Sequence, residues 1–350
     1  MNVIFKREDF TLCKVPVPKG YPQSQTHAGV ARLNRDYFLV TSPFPNIKYK
    51  KIILYLRVAI RKLTRGLLFN TPEGEYYENP CLYIGNTLTT APPTLFHLMH
   101  QQPLMDTPER LFGLPTFNSD PDIFVENDEI YILNRSVVRT EEYKGGGYRA
   151  AIKLFLIRGR NINDHFSLEE TFVLKSGHRN IISPCLSKKD GEYILVYLDT
   201  NSYNDGSTFK GLYVQKSVIL RNLQSDSEIK KINVESCDYL PWHMSLFEYK
   251  QKIYTIIACV KKEQPYRCWQ MLGEFDENMT ELKIFQTPLT DYNSYRGAAC
   301  VTDNGEFVLY NTTVHEKIKG STSVDGRDVL MAHMPFDKLI CTLQKERENE

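Results

Sequence analysis

The sequence predicts an all-β chain closed into a five-bladed β-propeller, and three observations carry that expectation. A strand–turn–strand phrase returns five times: THAGVARLNRDYFLVTS (26–42), SDPDIFVENDEIYILNRS (119–136), SPCLSKKDGEYILVYLDT (183–200), WHMSLFEYKQKIYTIIAC (242–259) and YRGAACVTDNGEFVLYNT (295–312). The later copies begin about 50 to 65 residues apart, room for one four-stranded sheet each, and repetition on that scale marks an array of like units. Residue usage agrees. The chain has 21 Tyr and 18 Phe against 2 Trp, which suits half-buried pleated surfaces, and its 19 Gly and 18 Pro punctuate many short strands.

Taken in order, a single domain spans 1–350 with modules at about 26–118, 119–181, 182–240, 241–293 and 294–340. The first module is the longest. After YFLVTS and the turn signal PFPN comes IKYKKIILYLRVAIRKLTRG (47–66), with seven Lys or Arg and no acid. Its apolar residues Ile53, Leu56, Ile60 and Leu63 recur at helical spacing, while Arg57, Arg61 and Arg65 share another face. An inserted basic helix over 47–70 is one reading of this segment, and a long outer strand is another. Three roles stay open for it: a solvated rim helix, contact with an anionic membrane surface, or contact with a partner. YYENPCLYIGN (76–86) reads as the outer strand of the first sheet, and five prolines between 92 and 115 argue for irregular loop beyond it. Regular strands resume with YRAAIKLFLIRGR and LEETFVLKS in the second module, FKGLYVQKSVI and IKKINVES in the third, and RCWQMLGEFDE and ELKIFQT in the fourth. The fifth ends on RDVLMAHMPF, with a closing strand from either terminus and a polar tail, LQKERENE, that is expected to fray.

Composition excludes several classes. Hydrophobic residues at 42% and charged residues at 24% are those of a globular protein, and a formal net charge of +1 gives no electrostatic case for nucleic acid. The eight Cys show no CxxC pair, and Cys81, Cys185, Cys259 and Cys300 lie in apolar strand-like runs, as buried reduced thiols do. No run reaches the length of a membrane span, and the charged N-terminus is unlike a signal peptide, so a cytoplasmic setting is expected. There is no G-x-S-x-G or Walker pattern, and the three glycines of YKGGGYR (143–149) sit between strands, as a hairpin loop would.

Five sheets around an axis leave a narrow funnel that gathers the opening residue of every copy. His27, Asp120, Ser183, His243 and Arg296 are thus expected at one place. Asp120-Pro121-Asp122 is the sharpest local signal: a carboxylate fixed ahead of an innermost strand suits acid/base work, although Asp-Pro also simply starts turns. Glu78, in Glu78-Asn79-Pro80, either supplies a second carboxylate or caps a strand. His27 is the candidate base near neutral pH. The expected ligand contacts are His243, Trp242, Tyr295, Arg296, Asp122, Arg135 and Asp199, with the aromatic rings offering stacking faces. Arg296 has an alternative as a buried partner of an aspartate. Metal-ligand spacing such as H-x-x-x-H is absent, so neither metal nor cofactor is expected.

At these residues the chain resembles the five-bladed propeller glycosidases of glycoside hydrolase families 43 and 32. His27-Ala-Gly, Tyr37-Phe, Ser42-Pro-Phe-Pro-Asn46, Tyr77-Glu-Asn-Pro80, Ser119-Asp-Pro121 and Tyr295-Arg296 are more closely similar to a glycosidase-like branch found in bacterial and phage sequences. The likeness covers most of 26–335 as pattern. It implies a glycan or glycoside bound in the funnel and carboxylate acid/base chemistry. In those families a base Asp opens the first sheet, a pKa-tuning Asp the second and an acid Glu the third. Asp120 matches the second role. His27 and Ser183-Pro184 occupy the other two places, so the usual base and acid are missing there, and Glu78 is a candidate to replace one of them with His27 as a candidate base. Three functions follow as expectations: a glycoside hydrolase, a carbohydrate-binding propeller without catalysis, or a cytoplasmic glycosyl-transferring enzyme of surface-polysaccharide assembly.

Overall fold

Alternation of apolar and polar residues, broken by Asn-, Asp- and Gly-containing turns, sets a succession of antiparallel meanders. The computed structural model describes residues 2–18, 23–43, 59–60, 63–64, 78–86, 91–99, 116–127, 129–142, 148–159, 167–172, 181–200, 208–224, 228–235 and 238–348. Apart from residues 59, 60, 63 and 64, the basic segment 47–66 lies outside them, as do Gly145 to Gly147.

The first sheet runs β2 (Gln25–Leu33), β3 (Asp36–Pro43), β4 (Cys81–Asn86) and β5 (His97–Leu98). The second runs β6 (Thr116–Glu126), β7 (Glu129–Glu142), β8 (Tyr148–Gly159) and β9 (Ser167–Phe172). A third meander, β10 (Ile181–Lys189), β11 (Glu192–Thr200), β12 (Phe209–Ser217) and β13 (Lys230–Glu235), joins a fourth, β14 (Leu240–Tyr249), β15 (Lys252–Lys261), β16 (Gln264–Phe275) and β17 (Glu281–Ile284). Their outer strands β13 and β17 pair in parallel, which fuses the two meanders into one eight-stranded sheet. The last sheet holds β18 (Ser294–Val301), β19 (Glu306–Thr313) and β20 (Val329–Pro335), and β1 (Thr11–Leu12) pairs along the free edge of β20. An N-terminal strand therefore closes the C-terminal sheet and covers an edge that would otherwise be open. Each innermost strand (β2, β6, β10, β14, β18) packs against the innermost strands on both sides, so the meanders form a ring.

This is the β-propeller expected from the sequence. Two local expectations are corrected. The segment at 81–86 is the third strand of its sheet, because the short β5 pairs outside it. Residues 343–348 of the tail belong to a helix, α1 (Phe336–Glu348), since Phe336, Leu339 and Leu343 fall on one helical face and bury it against Phe5, Phe247, Tyr254 and Phe307. Among the described residues no helix is long and apolar enough to cross a membrane. Seven described thiols are free, and all but Cys341 are buried.

Candidate active site

A common irregularity builds the site. In every module the innermost strand carries an extra residue near its start, with the register slipping at Thr26/Gly29, Ser119/Asp122, Ile182/Cys185, Pro241/His243 and Ser294/Gly297. Such bulges re-aim side chains that a regular strand would alternate between faces. Three bulge residues are also left-handed: His27 (φ 56°), Asp120 (φ 53°) and Ser183 (φ 46°). That conformation costs about 1–3 kcal/mol for a residue with a side chain, and strain of this kind clusters at functional sites.

The bulges bring the modules together at the axis. His27 Nδ1 lies 2.9 Å from Asp120 Oδ1, and His27 Nε2 lies 3.1 Å from Glu78 Oε2, so one imidazole sits between two carboxylates. Ser119 donates its hydroxyl to the same Glu78 oxygen at 2.6 Å and stands 3.3 Å from His27 Nε2. On the far side of Asp120, Oδ2 accepts the Ser183 amide at 3.1 Å and lies 3.1 Å from Arg135 Nε. Arg135 Nη1 donates to the Ile181 carbonyl at 3.0 Å. His243 Nδ1 is 3.5 Å from Asp120 Oδ1 and 2.8 Å from Ser183 Oγ. Because Ser183 and Asp120 approach the same nitrogen, these three do not form a Ser–His–Asp relay, which uses opposite nitrogens of the ring. Asp120 is wholly buried, and the Glu78 side chain keeps 14% exposure.

Burial by itself would depress His27, but the charges and hydrogen bonds of Glu78 and Asp120 outweigh it and raise its pKa above the ordinary imidazole value. Burial opposes ionisation of Asp120 too, yet Arg135, His27 and His243 hold its carboxyl well below the usual range. His243 goes the other way. Burial pushes it well below the ordinary value, with Asp120 opposing and the neighbouring cations adding to the drop. Burial and the neighbouring charges thus favour the protonated form at His27, the ionised form at Asp120 and the neutral form at His243.

Tyr295 covers this centre, its ring 5.0 Å from His27, 4.6 Å from His243 and 5.4 Å from Trp242. Gln270 donates to the Tyr295 carbonyl at 2.6 Å and so fixes the backbone beneath the ring. A side chain at Gly297 would meet Gln270 Oε1 at 2.9 Å, which explains the glycine. Trp242 Nε1 and His243 Nε2 are buried with no hydrogen-bond partner among the described residues.

Arg296 is fully buried as the aspartate's partner, the alternative the sequence left open. It donates to the Pro121 carbonyl at 2.7 Å and to Asp122 at 3.1 Å, and Ser245 donates to the same Asp122 oxygen at 2.8 Å. This pair lies under the centre and ties three modules across the axis. Arg135 likewise serves Asp120. Asp199 is buried beside Tyr197 and Tyr213 and pairs in register with Ile181. Sequence reasoning overlooked Ser119, Ser245 and Gln270; Ser119 was visible as the neighbour of Asp120 at the head of its repeat.

His27, Asp120 and His243 offer three ligand atoms within 4.8 Å of one another, a set that could hold a metal ion. In the arrangement observed both His27 nitrogens face carboxylates, which suits an imidazolium. A metal ion would have to displace that proton.

No protein-family model and no curated protein matches the sequence. Solved structures do. An N-acetylgalactosamine deacetylase from F. plautii, in complex with blood group B trisaccharide, matches with a TM-score of 0.56 and 13% identity over 92% of each chain. A xylan beta-1,4-xylosidase from Bacillus halodurans C-125 matches at 0.57 and 14% identity, covering 91% of this chain and 54% of its own. Zg3597, a family 117 glycoside hydrolase from Zobellia galactanivorans, matches at 0.55 and 10% identity, covering 94% of this chain and 90% of its own. The chain has the β-propeller fold of these carbohydrate-active proteins. At such identities the likeness speaks for the fold alone.

Proposed function

We propose that the chain is a glycan-directed hydrolase whose reacting group is Glu78. The observation that carries this is the state of its carboxylate. Oε2 is held by Ser119 and His27, no described side chain contacts Oε1, and the group is partly exposed within an otherwise buried cluster. Glu78 handles the proton at the substrate through Oε1. His27 exchanges a proton with it through Oε2, and Asp120 keeps His27 charged and in place. Tyr295, Trp242 and His243 form the wall against which a sugar ring packs. The propeller fold shared with two glycoside hydrolases and a deacetylase supports a glycan as ligand.

One observation favours a second reading, metal-assisted removal of an acyl group. The His27, Asp120 and His243 ligand atoms are close enough for one cation, and the F. plautii neighbour is a deacetylase. A single assay separates the two: turnover on a panel of aryl glycosides and N-acetylated sugars before and after dialysis against a chelator. The acid/base centre predicts glycoside cleavage that survives chelation and declines as pH rises through the elevated His27 pKa. Loss on chelation with recovery on adding metal would favour the second reading. Binding without turnover of any kind would leave a sugar-recognition module.

A further inference from the structure

Resting on the glycan reading above only for the class of ligand, we infer that a cleft in the outer part of the third module is a second saccharide site, built for a sugar that carries a carboxylate. Strand topology makes the cleft. β13 keeps register with β12 through Lys230, Lys231 and Ile232, then pairs with β17 through Asn233, Val234 and Glu235. Phe209, Lys210 and Gly211 of β12 therefore have no register partner on β13, and a fork of about 410 Å³ opens between the two strands. That volume is within the range of small-molecule sites. The fork lies at the same end of the module as the axial centre. Gly211 is in register with Asp199, and Asp199 with Ile181, whose carbonyl accepts from Arg135. Two inter-strand spacings, about 10 Å, thus separate the fork from that carbonyl.

The lining has two characters. Phe209 and Val234 are half-buried against the core shared by the third and fourth modules, and Ile232 is buried beneath them. Their apolar surfaces suit the C–H face of a sugar ring. Lys210 and Lys231 are exposed and bring two ammonium groups to the same cleft. Gly211 permits this: a side chain there would meet Lys231 Cε at 3.0 Å, so the lysine stem lies over the glycine. Glu235 and Glu281, on the β13–β17 side, are not among the residues that line the cleft. Two cations beside an apolar wall recognise an anion carried on a ring with an apolar face, and the Asn233 amide serves hydroxyls. Strand addition by an acidic peptide is disfavoured, because the free edge of β12 runs only from Phe209 to Gly211.

The test is methyl NMR of the full chain labelled at Ile and Val, titrated with tri-galacturonate, neutral galactotriose, inorganic phosphate and tetraglutamate. Expected is saturable movement of the Ile232 and Val234 signals with tri-galacturonate, at least about tenfold tighter than with any of the other three and weaker as salt is raised. Lys210→Gln combined with Lys231→Gln should cost that binding about tenfold and leave turnover on a neutral glycoside unchanged. Both side chains are exposed, so the variant keeps its fold, and the remaining methyl signals check this. Ile232 and Val234 signals that tri-galacturonate does not move, or equal affinity in the double variant, overturn the inference. So does phosphate or tetraglutamate bound there as tightly, which would make the cleft a general anion site or a peptide site. Each of these results leaves the axial hydrolase untouched. Conversely, saturation of the cleft without turnover of any glycoside overturns the hydrolase and leaves the cleft standing.

Discussion

Glu78→Gln is expected to lower turnover on a cleavable glycoside by about 10²–10⁴-fold while neutral-sugar binding stays within a few-fold. The amide preserves the acceptor that receives the Ser119 hydroxyl at 2.6 Å, so the floor keeps its shape. What is lost is the proton. Glu78 is also the first of the two charges that hold the His27 pKa up, so the alkaline limb of any pH–rate profile should move to lower pH in the variant. Steady-state kcat and KM across pH check both effects. A variant that keeps wild-type kcat removes Glu78 from the chemistry.

Asp120→Ala is expected to destabilise the fold by about 3–5 kcal/mol, the cost of removing one member of a buried ion pair and stranding the other. Arg135, the Ser183 amide and both histidines would lose their common partner. Asp120→Asn should cost distinctly less, because the amide oxygen still accepts from Ser183 and asparagine tolerates the left-handed φ of 53°. Urea unfolding at neutral pH measures both. The same centre sets the pH dependence of stability. Asp120 is depressed, so its contribution is present above the unfolded aspartate pKa and lost as pH falls through its lower folded value. His27 is raised, so its contribution is full below about pH 6.5 and lost as pH rises through the folded value. His243, held neutral, opposes folding on the acid side of about pH 6.5. An Asp120→Ala protein as stable as wild type would show that the pair is not needed to hold the ring.

Much of the arrangement was legible because a ring converts sequence repetition into spatial convergence. His27, Asp120, Ser183 and His243 open four repeats and meet within hydrogen-bond and ion-pair distances. Glu78 was visible only as one of two options, since it precedes a third strand rather than an innermost one and reaches the axis from there. Arg296 could not be assigned between ligand and core, because both roles put a guanidinium beside an aspartate. Ser119 stood next to Asp120 in the sequence, but its role did not follow from that: a regular strand would send neighbouring residues to opposite faces, and the bulge lets Ser119 and Asp120 serve the same cluster. The parallel β13–β17 pairing and the α1 packing depend on contacts between modules, which a local pattern does not encode.

The charge arrangement at the axis can be read directly. Nitrogen-15 NMR of the imidazole rings near neutral pH, assigned with His27→Asn and His243→Asn, should show both His27 nitrogens protonated and His243 neutral with one. His27 should stay protonated on titration past the ordinary imidazole range. A neutral His27 under those conditions would contradict the proton-balanced centre of Glu78, His27 and Asp120 on which the proposed chemistry depends.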